Sequence, residues 1–335
     1  MPESDLAGVG VVALQGFPEV QAGDPLADLI RTAVTDSHYV LEPGDVLVVS
    51  SKVVSKAFGL VETTPRDDVV ARESVRVVAS RRTPRGTASI VESAAGPVMA
   101  AAGVDASNTA PGTVLTLPHD ADDVARQLRR ELRALGLPLH AVVISDTAGR
   151  AWRTGQTDFA LGSAGLVVVD DLRGTTDTYG QQLEVTERAV ADEIAAAADL
   201  VKGKASGTPV ALVRGLSAFV TEDDGAGARS LVRASGDWFR NGHVEAVRLA
   251  LGVDVDAVEA PSVMPEALAH KASRALQVAL MGHERVEADV TEDAEAVSVS
   301  LRGNDFALGA VSERLLAALW SEDLAGRLER DVSAP

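Results

Sequence analysis

Asp45-Val46-Leu47-Val48-Val49-Ser50-Ser51-Lys52-Val53-Val54-Ser55-Lys56, the run DVLVVSSKVVSK, carries the fold class in twelve residues. Its first half is short, apolar and β-branched, and polar groups close it on both sides, which is how a buried strand reads. From Ser50 onward it sets two lysines and three hydroxyls just past that strand, where they could receive phosphate oxygens through charge-assisted hydrogen bonds. The same residues also suit a solvated helix start capped by serine, and both readings stand at this stage.

Working outward, Gly8 to Leu14, His140 to Ser145, Gly165 to Val169 and Pro209 to Arg214 repeat the strand signature. Pro25 to Val34, Ala121 to Leu135, Val185 to Val201 and Gly225 to Val232 have helical spacing and fall between several of these runs. Strands interleaved with helices predict an α+β, mixed α/β protein with mixed sheets. After Asp237 the composition shifts. Asp254 to Pro265 reads as a linker, Glu266 to Leu280 as a helix with Leu268, Ala272, Ala275, Leu276 and Ala279 on one face, Glu284 to Val290 and Ala296 to Leu301 as paired strands, and Val311 to Leu319 as a last helix. The expected domains are therefore residues 1–243 and a small α+β appendage at 244–335.

The 335 residues, 46% hydrophobic and 24% charged, suffice for a sizeable core and about two domains. Cysteine is absent, so any metal must use oxygen or imidazole ligands. The acidic N-terminus lacks the signature of a secretory signal, and no apolar run nears the roughly 20 residues that span a bilayer. A cytoplasmic protein that does not engage a membrane is expected. With 49 acids against 31 bases, the net charge of −18 disfavours nucleic acid as a partner, and an anionic ligand would need a local cluster of positive charge. There is neither a GxxxxGK[ST] P-loop nor a GxGxxG opening a helix after a strand. The six histidines show no HxxxH or HExxH spacing, and no GxSxG elbow exists.

Polar residues gather in two further segments. In Ser145 to Asp158, Asp146 and Thr147 at a strand end suit a magnesium or manganese ion, and Arg150 and Arg153 could grip carboxylate or phosphate as planar forks. Asp146 could equally cap a helix. In Val104 to Asn108, Asp105 could add a second carboxylate, although Asp, Ser and Asn are also ordinary turn residues. Glu187, Asp192 and Glu193 read as a solvated helix face.

Five ordered blocks resemble the coenzyme F420:L-glutamate ligase family, including the ligase half of the two-domain actinobacterial enzyme: Gly16 to Glu19 (GFPE), Ser50 to Lys56, Ala101 to Asn108 (AAGVDASN), Ser145 to Asp158 (SDTAGRAWRTGQTD) and Val190 to Lys204. The resemblance implies a fold without a P-loop and GTP-dependent addition of L-glutamate, through an amide bond, to coenzyme F420-0 by way of an acyl phosphate. It implies that Phe17, Pro18, Glu19, Val20, Ser51, Lys56, Asn108, Lys202, Gly203 and Lys204 contact GTP. It further implies that Asp105 and Asp146 hold one Mn2+ or Mg2+ and Thr147 a second, with K+ as a further cation, in a homodimer whose site lies near the subunit interface. Where this chain has Lys204, many archaeal members have Gln, and an ammonium cannot donate a lone pair to a metal. The C-terminal stretch is too short for the FMN-binding domain of the larger relatives, so FMN is not expected.

Overall fold

The computed structural model describes residues 8–84, 86–204, 206–233, 236–292 and 297–332. By their internal contacts the residues form two units. The first comprises Met1–Val69, Ala94–Met99 and Gly103–Arg233; the second comprises Val70–Ser93, Ala100–Ala102 and Ala234–Pro335. The second unit therefore takes a segment from the first third of the chain as well as everything beyond residue 233.

At the heart of the first unit is a mixed five-stranded sheet of β1 (Gly10–Ala13), β2 (Val46–Ser50), β3 (Ala141–Arg150), β4 (Arg153–Ala164) and β5 (Val210–Arg214), in the order β1-β5-β2-β3-β4. Only β2 and β3 run parallel; the other neighbours are antiparallel. Because side chains alternate across a strand, Leu47 and Val49 face one way with Val142 and Ile144, while Val46 and Val48 face the other with Ala141 and Val143. Helices α1 (Leu26–Asp36), α2 (Ser51–Ala57) and α3 (Ala121–Ala134) cover the first face through Ile30, Val54 and Leu128. Helix α4 (Val190–Lys202) covers the second through Ala191, Ile194, Ala195 and Ala198. A sheet buried on both faces explains why β2 reads as an unbroken apolar run.

Several expectations need correction. Gly165 to Val169 is not a strand: Leu166 makes an isolated bridge to Val220, and the segment contributes buried side chains without a ladder. The stretch from Gly225 holds a single 3-10 turn, Ala228–Leu231, and α4 starts at Val190 rather than at 185. Residues 153–164, not read as a strand from the sequence, form the long edge strand β4.

The second unit contains an antiparallel pair, Ser74–Thr83 with Gly86–Ser93, and a three-stranded sheet of Glu287–Glu292, Val297–Gly303 and Gly326–Val332. Helices Leu268–Leu280 and Asp305–Ser321 share a core with that sheet through Ala272, Ala275, Ala279, Val299, Leu301, Val311 and Leu315. The helix and the strand pair expected after residue 266 are thus present. Among the described residues no helix is long and apolar enough to cross a membrane.

Candidate active site

The pairing of the two parallel strands ends at Ser50 opposite Ser145. There β2 stops and α2 turns away, while β3 continues to Arg150 with β4 as its partner. Asp146 and Thr147 therefore stand at the carboxyl ends of parallel strands, where a crevice opens as adjoining chain segments diverge. The pleat sends their side chains to opposite faces. On the α2 side, Ser51 Oγ donates to Asp146 Oδ1 over 2.7 Å. On the α4 side, Thr147 Oγ1 donates to Asp158 Oδ1 over 2.7 Å, and Ser145 Oγ donates to Asp158 Oδ2 over 2.9 Å.

Asp158 lies on β4, opposite Thr147. A bulge between Ile144 and Ser145 shifts the register so that Ser145 pairs with Ala160, bringing Asp158 and Ala160 into line with the site residues of β3. Beside the bulge, the Ala160 N–H donates to Asp192 Oδ1 over 2.9 Å. This acid in the first turn of α4 is more than solvated surface, and its burial raises its pKa against the lowering effect of that bond.

Three ammonium–carboxylate pairs involve α2 and α4, the helices on the two faces of these strands. Lys202 at the end of α4 is buried and donates to Asp158 Oδ2 at 2.8 Å and to Ser145 Oγ at 2.6 Å. Lys52 on the first turn of α2 lies 2.8 Å from Asp105 Oδ2 and donates to Ser107 Oγ at 2.7 Å. Lys56, one turn further, pairs with Glu19. Among the described residues, Asp146 has no cationic partner. Burial pushes its pKa up to about 6, with the charges of Asp158 and Asp105 adding to the rise and the Ser51 hydroxyl and a backbone N–H opposing it. At Asp105 burial also works upward, but the Lys52 ammonium and the Ser107 N–H and hydroxyl outweigh it, holding that carboxyl below its ordinary range.

The structure brings most of the expected residues together. Phe17 is half-buried against the sheet core and Val20 is buried, so the chain is anchored on both sides of exposed Pro18 and Glu19. Asp105 sits in a turn closed by the Ser107 N–H at 2.7 Å from its Oδ1, as the turn reading expects, while its Oδ2 faces Lys52. Asn108, with φ +53°, donates from Nδ2 to the Lys204 carbonyl at 3.2 Å, tying this loop to the end of α4 at Gly203. Lys204 thus presents its backbone carbonyl to the neighbouring loop while its side chain is exposed. Lys202 is turned inward. Arg150 and Arg153 are exposed, flanking the Ala151–Trp152 turn at the tip of the β3–β4 hairpin.

Asp158, Ser145 and Ser107 had not been singled out as site residues. The first two would have emerged had β4 been recognised, since an antiparallel hairpin places Thr147 opposite Asp158.

The donor set suits a hard divalent cation. Among the described residues no three His, Asp or Glu side chains form a ready-made cage. An ion of the magnesium type nevertheless needs only one or two carboxylates when waters and phosphates complete its shell. A carboxylate whose charge is disfavoured by two neighbouring carboxylates, and which lacks a lysine of its own, meets that need at Asp146.

Residues 16–215 match the family described as F420-0:Gamma-glutamyl ligase. Among curated proteins, the Coenzyme F420:L-glutamate ligase of Methanopyrus kandleri is 38% identical over 261 residues, covering 70% of this chain and all of that protein. That of Methanothermobacter thermautotrophicus is 38% identical, covering 68% of this chain and 96% of its own length. The Halobacterium salinarum protein of the same name is 39% identical and matches over 68% of this chain and 94% of its own. With the matched segment running from the Phe17 loop through α4, and all the carboxylate–lysine pairs inside it, this chain belongs to the F420-0:gamma-glutamyl ligase family.

Proposed function

We propose that this protein joins L-glutamate through an amide bond to coenzyme F420-0, with GTP supplying the driving force. The observation that carries the reading is Asp146, a carboxylate at the end of the parallel strand pair with no cationic partner among the described residues, beside helices α2 and α4 that carry three lysine–carboxylate pairs. Such a site combines positive charge for a triphosphate with an open demand for divalent metal. The family names point to the acceptor and the amino acid.

A carboxylate is a poor electrophile because its leaving group would be oxide. In the proposed reaction the acceptor carboxylate oxygen attacks the γ-phosphorus of GTP, the bond from that phosphorus to the β-bridging oxygen breaks, and GDP leaves. The glutamate amine then attacks the acyl carbon, inorganic phosphate departs with the carbon–oxygen bond's electrons, and the nitrogen loses its proton. A divalent ion held by Asp105 and Asp146, with a second at Thr147, would neutralise the phosphates as charge shifts. The protein's own part is positioning: Lys56, Ser51, Asn108 and the Phe17–Val20 loop receive the nucleotide, and Asp158 fixes the rotamer of Thr147 through its hydrogen bond. Arg150 and Arg153 offer charge for the acceptor's phosphodiester and carboxylate. The proposal includes a homodimer, which light scattering of the purified chain measures.

Mass spectrometry of the deazaflavin acceptor after incubation with protein, GTP, Mn2+ and glutamate tests the reaction. Stepwise glutamyl mass gains that vanish when GTP or metal is omitted support it. Absence of any gain from a folded protein that binds GTP overturns the choice of acceptor.

A further inference from the structure

The three lysine–carboxylate pairs are not equivalent. In Lys202–Asp158 the side chains are 5% and 6% exposed, and breaking such a pair leaves a buried charge. In Lys52–Asp105 they are 19% and 40% exposed, so water can take over either partner at small cost. Lys56 pairs with Glu19, which the metal reading does not use. Of these carboxylates, Asp105 is the one that this reading assigns to metal, and its lysine is among those able to leave.

We propose that Lys52 is an exchangeable counter-ion of the metal site: it neutralises Asp105 while no metal is bound, and passes to a phosphate oxygen of the nucleotide when a divalent cation takes the carboxylate. The inference rests on the proposed metal site and adds a residue and an order of events to it. Charge favours the exchange, because a dication and an ammonium compete for the same Asp105 oxygen while the arriving triphosphate brings new negative charge. Reach favours it too. Lys52 stands on the turn of α2 that begins at Ser51, whose hydroxyl already touches Asp146, so its flexible four-carbon stem can swing across the metal position without moving the helix. Its second acceptor, Ser107 Oγ, also donates to Asp105 Oδ2 at 2.9 Å, so the carboxylate keeps a hydrogen bond when the lysine departs.

Isothermal titration of Mn2+ into the nucleotide-free full chain tests this, using wild type, Lys52→Gln and Lys52→Arg. The Gln variant should bind Mn2+ about 3- to 5-fold more tightly than wild type, the gain expected from removing one exposed ammonium competitor. The gap should narrow as NaCl is raised from about 0.05 to 0.5 M, through screening. The Arg variant, which keeps the competing charge, should bind Mn2+ as wild type does. With Mn2+ saturating, GTP should bind the Gln variant about 10-fold more weakly, the loss of one charged phosphate contact. Equal or weaker Mn2+ binding by Lys52→Gln, or the same gain in Lys52→Arg, overturns the exchange and leaves the metal site standing. No Mn2+ binding by any of the three, with or without GTP, removes the metal site itself and the exchange with it.

Discussion

Asp146 carries a conflict between stability and function. Its folded pKa of about 6 lies above the ordinary carboxylate value of about 4, so between those pH values the folded chain holds a proton that the unfolded chain has lost. The stability tied to that proton is full below about pH 4 and gone above about pH 6, leaving the metal-free fold weaker by about 3 kcal/mol at neutral pH. Asp146→Asn keeps an oxygen for the Ser51 hydroxyl and removes the charge. In differential scanning fluorimetry without metal at pH 7.5, the variant should melt about 4 °C higher than wild type, and the gap should close near pH 4. It should also be unable to turn over. A gap independent of pH would show that Asp146 ionises as an ordinary surface acid. Asp158→Asn should do the opposite, because Lys202 would remain buried without its counter-charge. Urea unfolding should show a loss of about 3 kcal/mol, against less than about 1 kcal/mol for Asp105→Asn at the exposed pair.

Among the elements, β4 shows where the sequence was legible and where it was not. Strands β2 and β5 and the start of β3 are short apolar runs buried on both faces, and helices α1 and α3 have clean amphipathic spacing, so each could be read directly. In β4 the period of two is obscured. Its first half is exposed, a bulge breaks its register, and Gly162 interrupts its apolar end. Candidates on the readable elements, such as Ser51 and Asp146, could be named from the sequence; Asp158 was hidden with its strand. Gly162 has a reason visible only in three dimensions: a Cβ there would lie 2.2 Å from the backbone carbonyl of Ala121, where α3 begins. Next to it, buried Asp122 accepts from the N–H groups of Ser163 at 2.8 Å and Ala228 at 2.7 Å, fastening the helix start to the strand. Gly162→Ala should force helix and strand apart and cost about 3 kcal/mol in urea unfolding, as overpacking does. An unchanged midpoint would mean that α3 can shift freely on the sheet.

For the molecule as a whole, the relatives pose a question of economy. The Methanopyrus kandleri protein is covered completely by 70% of this chain, which leaves the rest without a counterpart there. Residues 234 onward could thus pass for a removable appendage. The second unit argues otherwise, because it also includes the hairpin Ser74–Ser93, which lies inside the family-matched segment. Arg76 on that hairpin donates from Nη1 to both Glu245 oxygens at 3.0 and 2.8 Å and from Nη2 to the Arg240 carbonyl at 2.9 Å. Gly242 lies so close to the hairpin that a Cβ on it would fall 2.0 Å from the Val78 carbonyl oxygen. A chain stopped at residue 233 strips these partners from the hairpin while leaving all of the proposed catalytic residues in place. Each charged hydrogen bond removed contributes about 1.5 kcal/mol or more, so the truncated chain should lose about 3 kcal/mol and melt roughly 6–12 °C lower. Arg76→Ala in the full chain should reproduce most of that loss, because it removes the same charged hydrogen bonds without exposing the hairpin face. Melting curves for the two variants decide the matter: a truncated chain as stable as the full one would make the hairpin self-sufficient and the C-terminal residues an independent addition.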